Sequence, residues 1–227
     1  MTTETHFQKE LEELKENLLK MAAMVEEAIR DSVQSLVKRD SDLAQETFEF
    51  EDRINKMEIF IDNMCLKLLA LRQPMAVDLR FITSAMKIIT DLERMGDQAV
   101  NISERALLLN QEPQIKPYID IPRMAEIAQS MVKDVLGAFI NRDSKLARSV
   151  CERDDLVDGL NNQVMRELLT YMVSDPMTIS RAVHLLIVAR CLERIADHAT
   201  NIAEDVIFMV DALVIKHHAD EKKDEKA

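Results

Sequence analysis

The stretch Leu92-Glu93-Arg94-Met95-Gly96-Asp97-Gln98-Ala99-Val100-Asn101-Ile102-Ser103-Glu104 occurs twice. It returns as Leu192-Glu193-Arg194-Ile195-Ala196-Asp197-His198-Ala199-Thr200-Asn201-Ile202-Ala203-Glu204. Around each copy runs an apolar seam spaced 3-4-3-4. In the first it is Ala85, Ile88, Leu92, Met95, Ala99, Ile102, Ala106 and Leu109; in the second, Leu185, Val188, Leu192, Ile195, Ala199, Ile202, Val206 and Met209. That spacing places both copies on helices packed along a bundle.

The repeat extends beyond these stretches. Heptad-spaced Leu11, Leu14, Leu18, Met21, Val25 and Ala28 predict a first helix from about Phe7 to Lys38. A turn at Arg39-Asp40-Ser41-Asp42 follows, with Ser41 or Asp42 as the expected cap of a second helix that runs to Leu71. Pro74 breaks that helix, and the third carries the first copy to Leu109. The plan then restarts. Asn141-Arg142-Asp143-Ser144-Lys145-Leu146-Ala147 answers Lys38-Arg39-Asp40-Ser41-Asp42-Leu43-Ala44 at an offset of 103, and Ser174-Asp175-Pro176 answers the break at Pro74. Three Gly, five Pro and no Trp in 227 residues suit long helices with few turns. The expected fold is all-α, a tandem duplication of a three-helix unit. Its parts are a first repeat over 7–110, a linker over 111–122, a second repeat over 123–215 and a disordered tail over 216–227.

The acids of the repeated stretch form a row. Glu93, Asp97, Asn101 and Glu104 are spaced 4-4-3, as are Glu193, Asp197, Asn201 and Glu204. At about 100° per residue each row points away from its seam, on the outer side of a core helix. The second helix of each unit has a row of its own: Glu51, Asn55, Glu58 and Asp62, answered by Asp154, Asp158 and Asn161. Packed side by side, the two helices of a unit would merge these rows into one oxygen-rich patch. Two readings stay open, a solvated helix face and a cation site. Like charges four apart repel by a few tenths of a kcal/mol, yet the duplication kept them while neighbouring side chains drifted. Carboxylates and an amide suit Mg²⁺, Mn²⁺ or iron, whereas zinc would recruit Cys or His. Arg94 and Arg194 follow the glutamates and could fork onto them, either to hold them for a metal or as ordinary ion pairs. His198 adjoins Asp197 but answers Gln98, which makes it a surface residue first and a metal contact second.

Several classes are disfavoured. A net charge of −12 argues against nucleic acid and against an electrostatic hold on anionic lipid. No apolar run reaches the ~18–20 residues that span a bilayer, and Met1–Lys20 does not read as a signal peptide. Cys65, Cys151 and Cys191 form no CxxC pair and read as reduced packing residues in a cytoplasmic protein. The methionines fall mostly on heptad positions, and His217 and His218 read as incidental. No nucleophile–base pair or Gly-rich phosphate loop is present, so an enzyme is not expected.

The arrangement Arg72-Gln73-Pro74-x-x-x-Asp78-Leu79-Arg80, followed by Leu92-Glu93-Arg94-x-x-Asp97, resembles the PhoU family, as does Leu192-Glu193-Arg194-Ile195-Ala196-Asp197-His198-x-x-Asn201-Ile202. PhoU proteins are regulators of the bacterial phosphate-specific transport system. The resemblance runs from about Leu11 to Ile215. It implies two pseudo-symmetric three-helix bundles, each with a surface metal cluster. The matching residues are Glu51, Glu93 and Asp97 in the first unit and Asp154, Asp158, Glu193 and Asp197 in the second. Asn55 departs from the pattern, since an Asp would complete its pair and an amide is a weaker ligand. The resemblance further implies a negative regulator of the phosphate-starvation response. Such a protein would be a homodimeric cytoplasmic adaptor between the ATPase subunit of the phosphate ABC transporter and a sensor histidine kinase, reaching the membrane's inner face only through these partners. The alternative is a helical carboxylate metalloenzyme, which would usually carry Glu-x-x-His facing a bundle core; here Glu193 is followed by Asp197 and His198, the wrong step. A purely structural helical dimer would explain the seams but not the duplicated acids.

Overall fold

The structure, a computed structural model, describes residues 6–213. Six α-helices carry the fold: α1 (His6–Lys38), α2 (Ser41–Arg72), α3 (Ala76–Asn110), α4 (Asp120–Asn141), α5 (Ser144–Ser174) and α6 (Ile179–Asp211). A 3-10 turn at Pro176–Thr178 joins α5 to α6. No strand occurs among the described residues. The predicted tail, with His217 and His218, lies outside them.

Helices α1, α2 and α3 pack as one bundle and α4, α5 and α6 as the other, while α3 also packs on α6 and α1 on α4. All sixteen positions of the two seams are buried. So are Ile82 and Ile89 of α3 and Ala182 and Ala189 of α6. These lie on the faces expected to be outermost. The difference has a simple cause: each of these helices has neighbours on three sides, and little of it is left to water. One continuous apolar core therefore runs through both bundles. Across the joint, Phe81 of α3 stacks on Phe139 of α4 with ring centroids 4.7 Å apart.

The hairpin turns repeat in atomic detail. Arg39 and Arg142 take the left-handed conformation, with φ 58° and 54°. The next amide, of Asp40 or Asp143, closes the helix end by donating to Ser35 O or Ala138 O at 2.9 Å. Asp40 and Asp143 then cap the following helix, each side chain accepting from two backbone amides. The caps are thus one residue ahead of the expected Ser41 or Asp42. An arginine is useful at these turns because its side chain reaches outward: Arg39 Nη2 donates to Asn110 O and Glu112 O at 2.7 and 2.6 Å, pinning the end of α3.

The link between bundles is shorter than expected, because α4 begins at Asp120 and takes Pro122 into its first turn. Proline is tolerated there, since first-turn amides have no intrahelical partner.

Helices α3 and α6 run antiparallel. Arg80 Nε donates to Met209 O at 3.0 Å, Lys87 Nζ to Asp205 Oδ1 at 2.7 Å, and Asp91 Oδ1 lies 2.9 Å from His198 Nδ1. The α2–α3 turn and the α5–α6 turn consequently lie at opposite ends of the molecule. Each turn is apolar and open to solvent, with Leu71 and Met75 65% and 82% exposed at one and Val173 and Met177 85% and 81% exposed at the other.

Candidate metal centres

The first two acids of each row, Glu93 with Asp97 and Glu193 with Asp197, face the neighbouring helix of their own unit. In the first unit, burial raises the pKa of Glu93; Asp97 and Glu58 add to the rise, Arg94 opposes it, and Glu51 contributes further. Burial also raises Asp97. In the second unit Asp154 is pushed up to about 6, first by burial and then by Asp197, Asp158 and Asp155. Asp158 rises through burial, Asp197 and Asp155 against the pull of Arg190. Glu193 rises through burial and Asp197, opposed by Arg190, with Asp158 and Asp154 adding to it. The structure thus brings together Glu51, Glu58, Glu93 and Asp97 from α2 and α3. It also brings together Asp154, Asp158, Glu193 and Asp197 from α5 and α6. Asn55 lies half-buried on the same α2 row, one turn from Glu51.

One carboxylate oxygen of the second patch, Glu193 Oε2, is buried without a hydrogen-bond partner, while the Thr200 hydroxyl beside Asp154 opposes the rise of that group. A buried carboxylate oxygen left unpaired is costly, and hard cations take such ligands. The donor set therefore suits Mg²⁺, Mn²⁺ or iron. Among the described residues, however, no three His, Cys, Asp or Glu side chains stand as a ready-made metal cage. A cation would have to draw the carboxylates of α5 and α6 together.

Asp154 gives this strain a testable sign. The folded protein holds the Asp154 proton to higher pH than the unfolded chain, so stability is lost as pH rises from the ordinary carboxylate range through about 6. Asp154→Asn is expected to gain about 1–2 kcal/mol at pH 7.5, a figure discounted for the partial exposure of the group. At pH ~4, where the folded group is protonated and the unfolded one is close to its midpoint, most of that gain should be gone. Urea unfolding of both proteins at the two pH values checks this, and an equal gain at both would show that charge is not the cause.

Other predicted positions lie elsewhere. Asn101, Asn201, Glu204, Arg94 and Arg194 line two grooves between α3 and α6. Asn101 Nδ2 donates to Asp97 O rather than adding a ligand, and Glu104 pairs with Arg105 at 3.1 Å. The arginine on Glu193 is Arg190, not Arg194.

The whole chain, read against known proteins, matches one family over residues 18–106 and 121–206, that of the PhoU domain. The chain belongs to the PhoU family. It is 48% identical to the phosphate-specific transport system accessory protein PhoU homolog of Aquifex aeolicus, over 94% of this chain and 97% of the relative. Its counterpart from Pseudomonas aeruginosa is 43% identical over 93% and 88%. Among solved structures, PhoU from Pseudomonas aeruginosa superposes with a TM-score of 0.88 at 43% identity, covering 92% of this chain and all of that one. The phosphate transport system regulatory protein PhoU from Streptococcus pneumoniae gives 0.85 at 28% identity, covering 93% of this chain and 100% of its own.

Two features of this PhoU chain escape the sequence reading. His198 is not on the surface: it is 6% exposed, because it faces α3 across the joint, where Asp91 meets it. On the opposite side of the α3–α6 contact, Cys191 and Gln98 hold the matching positions and line a groove with Arg194. Positions 91 and 98 both differ from 191 and 198, and that paired divergence is the signal a sequence could offer. The cysteines do behave as packing groups, with burial pushing Cys65 up to about 12 and Cys151 and Cys191 to about 11.

Proposed function

We propose that this chain is a cytoplasmic negative regulator of phosphate uptake and of the phosphate-starvation response. It acts as an adaptor between the ATPase subunit of a phosphate ABC transporter and a sensor histidine kinase, as a homodimer. The observation that carries the reading is near-full-length similarity, at 48% and 43% identity, to proteins named as accessory components of phosphate-specific transport. The fold is compatible with it: exposed apolar turns at opposite ends of the antiparallel α3–α6 pair offer separate docking points. No helix among the described residues is long and apolar enough to cross a membrane, so contact with one would come through partners. The two acidic patches are proposed as sites for Mg²⁺, Mn²⁺ or iron that stiffen the α2–α3 and α5–α6 faces. At the second patch the unpartnered oxygen of Glu193 supports this.

The adaptor reading is tested by crosslinking tagged protein in phosphate-replete cells and analysing the membrane fraction by mass spectrometry. The expected result is recovery of a phosphate-transporter ATPase subunit together with a sensor kinase. Recovery of neither, with ample bait, overturns it.

A further inference from the structure

The second acidic patch carries a cation of its own. Arg190 Nη1 donates to Glu193 Oε1. By the internal repeat, Arg190 answers Thr90, whose hydroxyl donates to Glu58 Oε1 at 3.3 Å. A neutral hydroxyl thus stands at the first patch where a full positive charge stands at the second. The two partners are unequally held: the Arg190 side chain is 59% exposed and that of Glu193 only 11%. The carboxylate is fixed in the protein and the guanidinium reaches it from solvent. The other oxygen of Glu193 has no partner at all. Arg190 also borders two grooves, one containing Asp158 and Glu193 and the other Gln98 and Arg194. Its side chain therefore has somewhere to turn on leaving the acids.

We propose that Arg190 is the resident counter-ion of the second patch, and that a divalent cation binds there by exchange with it. The inference rests on the reading of the patches as cation sites. It assigns to Arg190 a charge difference between the two patches, beside the Asn55–Asp158 difference in their acids. A cation and a guanidinium cannot share Glu193 Oε1 in the same position, so arginine occupancy is subtracted from the apparent affinity of the site.

The test is calorimetric titration of metal-stripped full-length protein with MnCl₂, using Asp97→Asn as the background to weaken the first patch. In that background Arg190→Thr, which copies the first unit, is expected to tighten binding about ten-fold, a modest part of the Coulomb energy of adjacent unit charges. Arg190→Gln, which keeps bulk, should tighten it likewise, and Arg190→Lys should stay near the parent. Arg194→Thr removes the same charge one turn away and should change little, separating exchange at Glu193 from a general effect of net charge. Binding unchanged or weakened in Arg190→Thr and Arg190→Gln, or equally tightened by Arg194→Thr, overturns the exchange while leaving the patches as cation sites. Absence of Mn²⁺ binding in the parent and every variant removes the cation reading and the exchange together.

Discussion

Replacing Phe139 by alanine is expected to lower stability by about 3–5 kcal/mol, the usual range for deleting a buried phenyl ring. For a domain of this size that corresponds to a fall in Tm of roughly 10 °C. Phe139 is wholly buried and stacks on the almost wholly buried Phe81. Lys15 and Arg142 lie over the ring of Phe81, 5.8 and 5.9 Å from its centroid, and shield it from solvent. Because one ring belongs to α3 and the other to α4, the cost should be felt by both bundles at once. Scanning calorimetry should show a single transition moved downward. Two separated transitions, or a loss below 1 kcal/mol, would mean that the bundles do not share a core.

The second large effect concerns Asp91 and His198, whose side chains are 13% and 8% exposed and meet at 2.9 Å. Asp91→Cys leaves the imidazole without its partner and is expected to cost about 1–3 kcal/mol. Adding His198→Gln recreates the Cys–Gln combination already present at 191 and 98, and should recover a substantial part of the loss. Urea unfolding of wild type, both single variants and the double variant gives the coupling directly. Strictly additive losses would show that the two residues do not act as a pair.

The contrast between this pair and the acidic rows shows what a sequence conveys. Helix, turn and duplication were legible because each is a local pattern written twice: heptad seams for α3 and α6, Arg-Asp-Ser at both hairpins, proline at both breaks. The convergence of Glu51 on Glu93 and of Asp154 on Asp197 was also within reach, since it needed only adjacent helices. Facing directions were harder. The rows were expected to look outward because a single helix, considered alone, has an outside; α3 and α6 have neighbours on three sides. The burial of His198 is hidden from the sequence for the same reason, as its partner comes from the other bundle, 107 residues away. Arg190 carries no signal in the repeat because its counterpart is Thr90, whereas Arg94 and Arg194 are retained in both copies.

The antiparallel contact of α3 with α6 has the form of an interface between two copies of one small protein, held in a single chain by the linker. Two free copies would meet only as their concentration allowed, and perfect twofold symmetry would force every residue at the contact to face the same environment on both sides. Covalent joining removes both constraints: the partner is always present at high effective concentration, and each side can change alone. Asp91 with His198 on one side and Cys191 with Gln98 on the other are such a change, as are Thr90 and Arg190 at the two patches. A symmetric pair could offer its surroundings only one kind of surface twice over; the fused chain offers two different ones at a fixed distance and in a fixed orientation.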